Sequence, residues 1–103
     1  EAYFCADDVL SIGALSAIRD AGLSVPNDVG ILGLNNMDMA GWALINLTTI
    51  NNPIADIVQA SVDLVAGMLD GDVSQAQCIP FACHVVDRGT LRDVAPSGDA
   101  ERD

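Results

Sequence analysis

Two pairs of polar residues follow apolar runs in the first third of the chain. The stretch FCADDVLSIGAL interrupts its apolar residues at Asp7 and Asp8, and VGILGLNN ends on Asn35 and Asn36. Two adjacent carboxylates could form a catalytic or metal-binding pair, could cap a helix, or could contact a ligand at the end of a strand. Each of these three interpretations predicts different residues elsewhere in the sequence.

Catalysis and metal binding have the least support. Acid–base chemistry on one bond needs two facing acids, whereas the second pair consists of amides, which carry no titratable proton. The acids do not follow the spacing of a calcium loop, and a single histidine without a C-x-x-C pair argues against zinc. No nucleophile–base pair or phosphate-binding loop is visible either. We therefore expect no enzymatic activity, no cofactor and no metal, and a ligand-contacting edge fits best.

The elements around the two pairs predict a βαβ unit. AYFCA and VGILGL are apolar runs typical of strands that are buried on both faces. Between them, apolar residues recur at three-residue steps from Val9 to Ile18, which predicts a helix that stops at Gly22. Strands joined by such a crossover run parallel, and ligands bind beyond their carboxyl ends. We therefore expect Asp7 and Asn35 to converge at one sheet edge, where one of the two acids can also cap the helix.

The second half of the chain continues the alternation of strands and helices. LTTI predicts a short strand, and NNP predicts a long helix with Asn52 as its cap, Pro53 in its first turn and Gly71 at its end. CIPFACHVV predicts one or two short strands, on which His84 is exposed. The odd number of cysteines, each within an apolar run, predicts buried reduced thiols. These cysteines are Cys5, Cys78 and Cys83.

Composition limits the partners that the chain can have by itself. The 103 residues have the length of one small domain, and 50% of them are hydrophobic. No apolar run is long enough for a membrane span, and no signal peptide is visible. The formal net charge is -11, with 15 acidic residues, 4 arginines and no lysine. Because affinity for nucleic acid depends on neutralising phosphates, we expect this chain alone not to bind duplex DNA.

The ordered motifs carry a resemblance to a known family. Over about residues 2–95, the chain resembles the C-terminal part of the effector-binding core of the lactose/galactose repressors, which are bacterial transcription regulators. The motifs that match are FCADDVLSIGALSAIRDAGLSVPNDVGILGLNN, LTTINNP and VVDRGT. The resemblance implies an α/β, periplasmic-binding-protein-like fold of type I. In that fold, a three-layer αβα arrangement surrounds a parallel sheet, and this chain is a fragment of the two-lobed core.

The same resemblance implies how the fragment is organised and what it binds. Residues 1–94 would be the C-terminal portion of the core, the helix at 52–71 would pack on the other lobe, and 95–103 would be a disordered tail. Family members bind a small polar effector, often a carbohydrate, in the cleft between the lobes. They dimerise through the core and bind operator DNA through a helix-turn-helix domain, which is absent from this chain. Such a regulator would be cytoplasmic.

Individual residues carry over from the family motifs. Asp7, Asn35 and Asn52 would contact the effector, while Asp8 and Asn36 would cap the helix or support the contacting residues. Asn35 lies where members usually have an aspartate that binds effector hydroxyls. An amide offers a donor and an acceptor but not the charged acceptor that polyols and cationic ligands favour. The effector therefore stays open between a sugar and another polar metabolite.

The resemblance also places a subunit interface on the first helix and on the loop after the second strand. It implies that Ile12, Leu15 and Arg19 face a partner subunit, although such a stripe can equally cover the sheet, and that Trp42 is a partly exposed interface anchor. Because the first strand and the long helix would lack neighbours, we expect a homodimer or higher oligomer. The alternative function is a solute-binding receptor of the periplasmic type. The cysteines and the LTTI and RGT motifs favour the regulator.

Overall fold

The computed structural model describes residues 1–93, and the tail predicted for 95–103 lies outside them. The described part is an α/β structure of four short strands and two α-helices, as the sequence predicted. In chain order the elements are β1 (Ala2–Phe4), α1 (Asp8–Asp20), β2 (Gly30–Asn35), a 3₁₀ helix (Asp38–Gly41), β3 (Thr49–Asn51), α2 (Ile54–Leu69) and β4 (His84–Val86). None of the helices within residues 1–93 has the length and apolar character needed to cross a membrane.

The sheet has the strand order β1-β2-β3-β4. β1 pairs with β2 in parallel, with Tyr3 opposite Ile31, and β2 pairs with β3 in parallel, with Leu34 opposite Ile50. The predicted βαβ unit is therefore confirmed. Because three neighbouring strands point the same way, the residues that follow β1, β2 and β3 meet at one edge of the sheet. We call this the carboxyl edge.

The chain divides into two compact units. Among the described residues, the first unit contains 1–51 and 85–93, and the second contains Asn52–His84. α1 packs against β2 in the first unit. The buried apolar core of this unit consists of Leu15, Val29, Ile31, Ala40 and Leu47. The prediction that Leu15 faces a partner subunit is wrong, because this side chain is only 2% exposed and packs within the chain's own core.

α1 ends as the sequence predicted. Gly22 has a φ of 82°, which is costly for residues with a Cβ. The N–H of Leu23 donates to the carbonyl of Ile18 at 3.2 Å, and the N–H of Gly22 donates to the carbonyl of Arg19 at 3.0 Å. This pair of bonds is a Schellman motif, which satisfies carbonyls that the last turn leaves without helical donors.

β1 differs from its prediction as a strand buried on both faces. Tyr3 and Phe4 are 55% and 59% exposed, because β1 lies at the edge of the described sheet. Cys5 is half-buried. An apolar run predicts a strand, but it cannot tell an edge strand from a central one.

The second unit contains α2 and the segment that follows it. α2 begins at Ile54 with Pro53 in the N-cap position, so the prediction that Asn52 caps this helix and Pro53 lies in its first turn is wrong. No side chain of α2 is buried within the chain. Cys78 and Cys83 are exposed free thiols, which corrects the prediction that they are buried. His84 is exposed on β4, as predicted.

Candidate functional site

The first acid of the DD pair meets the first amide of the NN pair at the carboxyl edge. Asn35 Nδ2 donates to Asp7 Oδ1 at 3.0 Å, although 28 residues separate them in sequence. Both side chains are half-buried. Asp7 occupies the N-cap position of α1, but its carboxylate makes no capping hydrogen bond. The carboxylate is therefore turned to the edge and not to the helix, and the capping role proposed for one of the acids is wrong for Asp7.

The second acid has a different task. Asp8 is fully buried in the first turn of α1. Its Oδ2 accepts the backbone N–H of Met37 at 2.6 Å, and its Oδ1 accepts the hydroxyl of Thr49 at 2.6 Å. Asp8 thus ties α1 to the segment after β2 and to β3. Of its two predicted roles, capping is wrong, because Asp8 lies in the first turn and not at the N-cap, and support of the contacting residues stays a prediction. Buried charge is tolerated only with such partners.

Gly33 makes room for the buried carboxylate. A Cβ at this position of β2 would lie 2.5 Å from Asp8 Oδ1, 2.9 Å from Leu47 Cδ2 and 3.0 Å from Ser11 Oγ. Separations below about 3.0 Å are strongly repulsive for such atoms. Glycine at this position therefore permits α1, β2 and the segment before β3 to pack around Asp8.

The NN pair adopts an unusual backbone conformation. Asn35 has a φ of 107° and Asn36 has a φ of 58°, in the region that side chains with a Cβ generally avoid. Asparagine is enriched there among residues other than glycine. Strained backbone of this kind is stored at binding and switch sites when its surroundings hold it. Here the pair is held by hydrogen bonds to three other parts of the chain: Asn35 binds Asp7, and Asn36 binds Asn51 and Arg88.

Asn36 makes two of these hydrogen bonds. Its Nδ2 donates to Asn51 Oδ1, at the end of β3, at 3.0 Å. Its Oδ1 accepts from Arg88 Nη2, after β4, at 2.8 Å. Arg88 also donates from Nη1 to the carbonyl of Leu47 at 2.9 Å. Polar side chains that follow all four strands therefore meet along the carboxyl edge.

Three buried threonines support this arrangement from the interior. Thr48 donates its N–H to Thr90 Oγ1 at 2.9 Å, and Thr48 Oγ1 accepts the N–H of Arg88 at 2.9 Å. The Thr90 hydroxyl donates to the carbonyl of Ile31 at 2.7 Å. Thr49 completes the set by binding Asp8. From the sequence, the LTTI and RGT motifs indicate a family but predict no role for their residues. The contributions of Asn51 and Arg88 are visible only in the structure.

The remaining predicted site residues are placed as follows. Asn52 belongs to the second unit, where its Oδ1 accepts from Cys83 Sγ at 3.7 Å, and its contact with an effector stays a prediction. Trp42 is 61% exposed, Arg19 is exposed and Ile12 is half-buried. Their interface roles also stay predictions.

The carboxyl edge has the chemistry of a binding site. No group of three or more His, Cys, Asp or Glu side chains in residues 1–93 is arranged to hold a metal ion. The edge instead combines the Asp7 carboxylate with amides whose positions are fixed by hydrogen bonds. Groups of this kind bind hydroxyl and amine donors of a small polar molecule.

Comparison with known proteins identifies the family. Residues 1–91 match the profile of the periplasmic binding protein-like domain. The chain is 33% identical over 91 residues to the HTH-type transcriptional repressor CytR of Escherichia coli K12, a match that covers 88% of this chain and 27% of CytR. The chain belongs to the periplasmic binding protein-like family, in its lactose/galactose repressor branch. The resemblance seen in the sequence is confirmed.

Solved structures of lactose/galactose repressor family members have the same fold. A regulator from Corynebacterium glutamicum superposes with a TM-score of 0.75 at 35% identity, over 87% of this chain and 35% of that one. A dimeric Lac repressor with a C-terminal deletion superposes with a TM-score of 0.77 at 28% identity, over 87% of this chain and 33% of that one. The chain therefore spans about a third of these family members and 27% of CytR.

Proposed function

We propose that this chain is the effector-sensing and dimerisation segment of a cytoplasmic bacterial transcription regulator, and that the carboxyl edge contacts the effector. The observation that carries the proposal is the hydrogen bond between Asp7 and Asn35, made by a residue with a φ of 107°. Neither Asn35 nor Asn36 belongs to the buried apolar core formed by the described residues. A binding role accounts for the strained geometry. Operator DNA would be bound by another part of the regulator.

The charges at the edge indicate the kind of effector. Asp7 supplies a carboxylate, and within residues 1–93 the cation beside the edge is Arg88, whose two terminal nitrogens already donate to Asn36 and to the carbonyl of Leu47. An anionic group next to Asp7 would be repelled without a compensating donor. We therefore propose a neutral or cationic ligand with several O–H or N–H donors, such as an unphosphorylated sugar or nucleoside.

The first prediction concerns effector affinity. In the intact regulator, Asp7→Ala and Asn35→Gly should each weaken binding by about 1–3 kcal/mol, because ligand donors lose their partner. Glycine is chosen at position 35 because it keeps the positive φ while removing the amide. Calorimetric titration with a panel of sugars and nucleosides, each with and without a phosphate, measures the affinities.

Asn27→Gly is the matched control, because Asn27 is exposed in the turn before β2. It should bind as the unmodified regulator does. Unchanged affinity in both edge variants would remove the carboxyl edge from the effector site. Preferred binding of the phosphorylated compounds would contradict the proposed ligand class.

The second prediction concerns self-association. β1 is an outermost strand of the sheet and exposes Tyr3 and Phe4. The loop around Trp42 exposes the Trp42 indole and Leu44. A Lac repressor with the same fold is dimeric. We expect the 103-residue chain to sediment as a dimer or larger species at micromolar concentration, because exposed strand edges and large apolar surfaces favour association.

Trp42→Gln tests where the interface lies. It should shift the equilibrium toward monomer, whereas Leu23→Gln, at an exposed position just after the end of α1, should not. A monomeric mass for the unmodified chain, together with a cooperative thermal transition, would refute the proposed dimerisation.

A further inference from the structure

Arg88 occupies an unusual position among the few cations of the chain. Arg19 and Arg92 are exposed, whereas Arg88 is half-buried beside the carboxyl edge. Its two terminal nitrogens have different partners. Nη1 donates to the carbonyl of Leu47 at 2.9 Å, and Nη2 donates to Asn36 Oδ1 at 2.8 Å. A planar guanidinium can hold both acceptors at once, and lysine cannot reproduce that geometry.

The bond to Asn36 fixes the orientation of that side chain. Its amide oxygen accepts from Arg88, so its amide nitrogen faces Asn51, to which it donates at 3.0 Å. An amide held at both ends cannot flip without losing two hydrogen bonds. Both partners lie in distant parts of the sequence, 52 and 15 residues away.

Asn36 in turn holds the backbone that presents Asn35. The two residues are adjacent, and both have a positive φ, which must be stabilised by contacts elsewhere. Of these two, Asn35 makes the bond to Asp7. If Asn36 were released, the strained turn would be free to relax toward ordinary φ values, and the Asn35 amide would move away from Asp7.

We propose that Arg88 is a positioning residue for the effector site, acting through the Asn36 amide on the hydrogen bond between Asn35 and Asp7. The inference rests on the proposed function for its biological meaning. Its structural content is that Arg88, after β4, determines the geometry of Asn35 and Asn36 at the end of β2 and of Asp7 after β1. Arg88 would therefore influence effector binding without touching the effector.

The test follows the side-chain amide protons of Asn35 and Asn36 by NMR in the intact regulator without effector. In Arg88→Lys, the Asn36 amide protons should exchange with solvent roughly tenfold faster, because an Asn36 oxygen that has lost its charged donor no longer holds the amide in the orientation in which Nδ2 donates to Asn51. The Asn35 amide signal should also shift. Arg92→Lys is the matched control and should change neither residue.

A second variant keeps the test decisive if Arg88→Lys does not fold. Asn36→Ala removes the acceptor for Nη2, leaves the bond from Arg88 to Leu47, and keeps a Cβ, so the positive φ remains strained. It should shift the Asn35 signal in the same direction as Arg88→Lys does. In the Asn36→Ala background, adding Arg88→Lys should have no further effect on Asn35.

Two outcomes would overturn the inference. One is an Asn35 signal that stays in place when Asn36 is replaced by alanine. The other is an Arg88→Lys effect on Asn35 that persists without the Asn36 amide, which would mean that Arg88 acts only through its bond to Leu47. No effector is used in these experiments, so their failure leaves the proposed function standing, and failure of the titrations leaves this result standing.

Discussion

Asp8→Ala should lower the free energy of unfolding of the chain by roughly 2–6 kcal/mol, since it leaves one buried and one half-buried donor without an acceptor at about 1–3 kcal/mol each. The donors are the backbone N–H of Met37 and the hydroxyl of Thr49, both 2.6 Å from the Asp8 carboxylate. Asp8 is fully buried, so water is not at hand to replace it. Urea unfolding at a fixed protein concentration measures the loss, because self-association would otherwise change the apparent stability.

Asp20→Ala is the matched control for this substitution. Asp20 is the last residue of the same helix and is exposed. Its replacement should change stability by no more than about 0.5 kcal/mol, as is usual for surface positions. Equal effects of the two substitutions would show that the buried carboxylate does not hold α1 to β3 and to the segment after β2.

The second large effect is expected at Gly33. Gly33→Ala should destabilise the chain by about 1–3 kcal/mol, because the new methyl group overpacks a site that has no space for it. The added Cβ would lie 2.5 Å from Asp8 Oδ1, and the hydroxyl of Ser11 and a methyl group of Leu47 are within 3.0 Å. All three neighbours are buried, so none can swing into solvent. Urea unfolding again measures the difference.

Gly13→Ala provides a control of opposite sign. Gly13 lies inside α1, and a Cβ there would meet nothing within 4 Å. Alanine is favoured over glycine in a helix interior by about 0.5–1 kcal/mol, so this substitution should stabilise the chain. If both glycine-to-alanine changes stabilised it, the close packing around Asp8 would not be present in solution.

The convergence of Asp7 and Asn35 could be predicted from the sequence because parallel strands leave little choice. Two apolar runs separated by a helical pattern must align their carboxyl ends, and the polar residues that follow them then meet. The division of tasks between Asp7 and Asp8 could not be predicted. Asp7 and Asp8 are the same residue type, and which carboxylate is buried depends on their angular positions about the axis of α1. No sequence pattern specifies those positions to within one residue.

The partners of these residues were also beyond sequence reasoning. Thr49 binds Asp8 across 41 residues, and Arg88 binds Asn36 across 52. No local sequence pattern indicates which residues pair across such long stretches of chain. A motif such as RGT indicates a family, but the bond from Arg88 to Asn36 follows from the order of the strands in the sheet.

Burial was predicted least well, for a physical reason. AYFCA and CIPFACHVV are apolar, yet Tyr3, Phe4 and Cys83 are exposed within this chain. Leu15 shows the opposite error, because a stripe of apolar residues on a helix can face the sheet or a partner. Apolar character measures the tendency to leave water. It does not specify whether a given side chain is buried by the same chain or by another one.

The most direct test of the central claim is the Asn35 side-chain amide signal in the intact regulator during titration with the tightest-binding sugar or nucleoside of the panel. If the carboxyl edge contacts the effector, this signal shifts in proportion to occupancy, and the shift disappears in Asp7→Ala together with most of the affinity. A signal that stays unchanged up to saturation, with full affinity in Asp7→Ala, would contradict the account and would place the effector away from the Asp7–Asn35 pair.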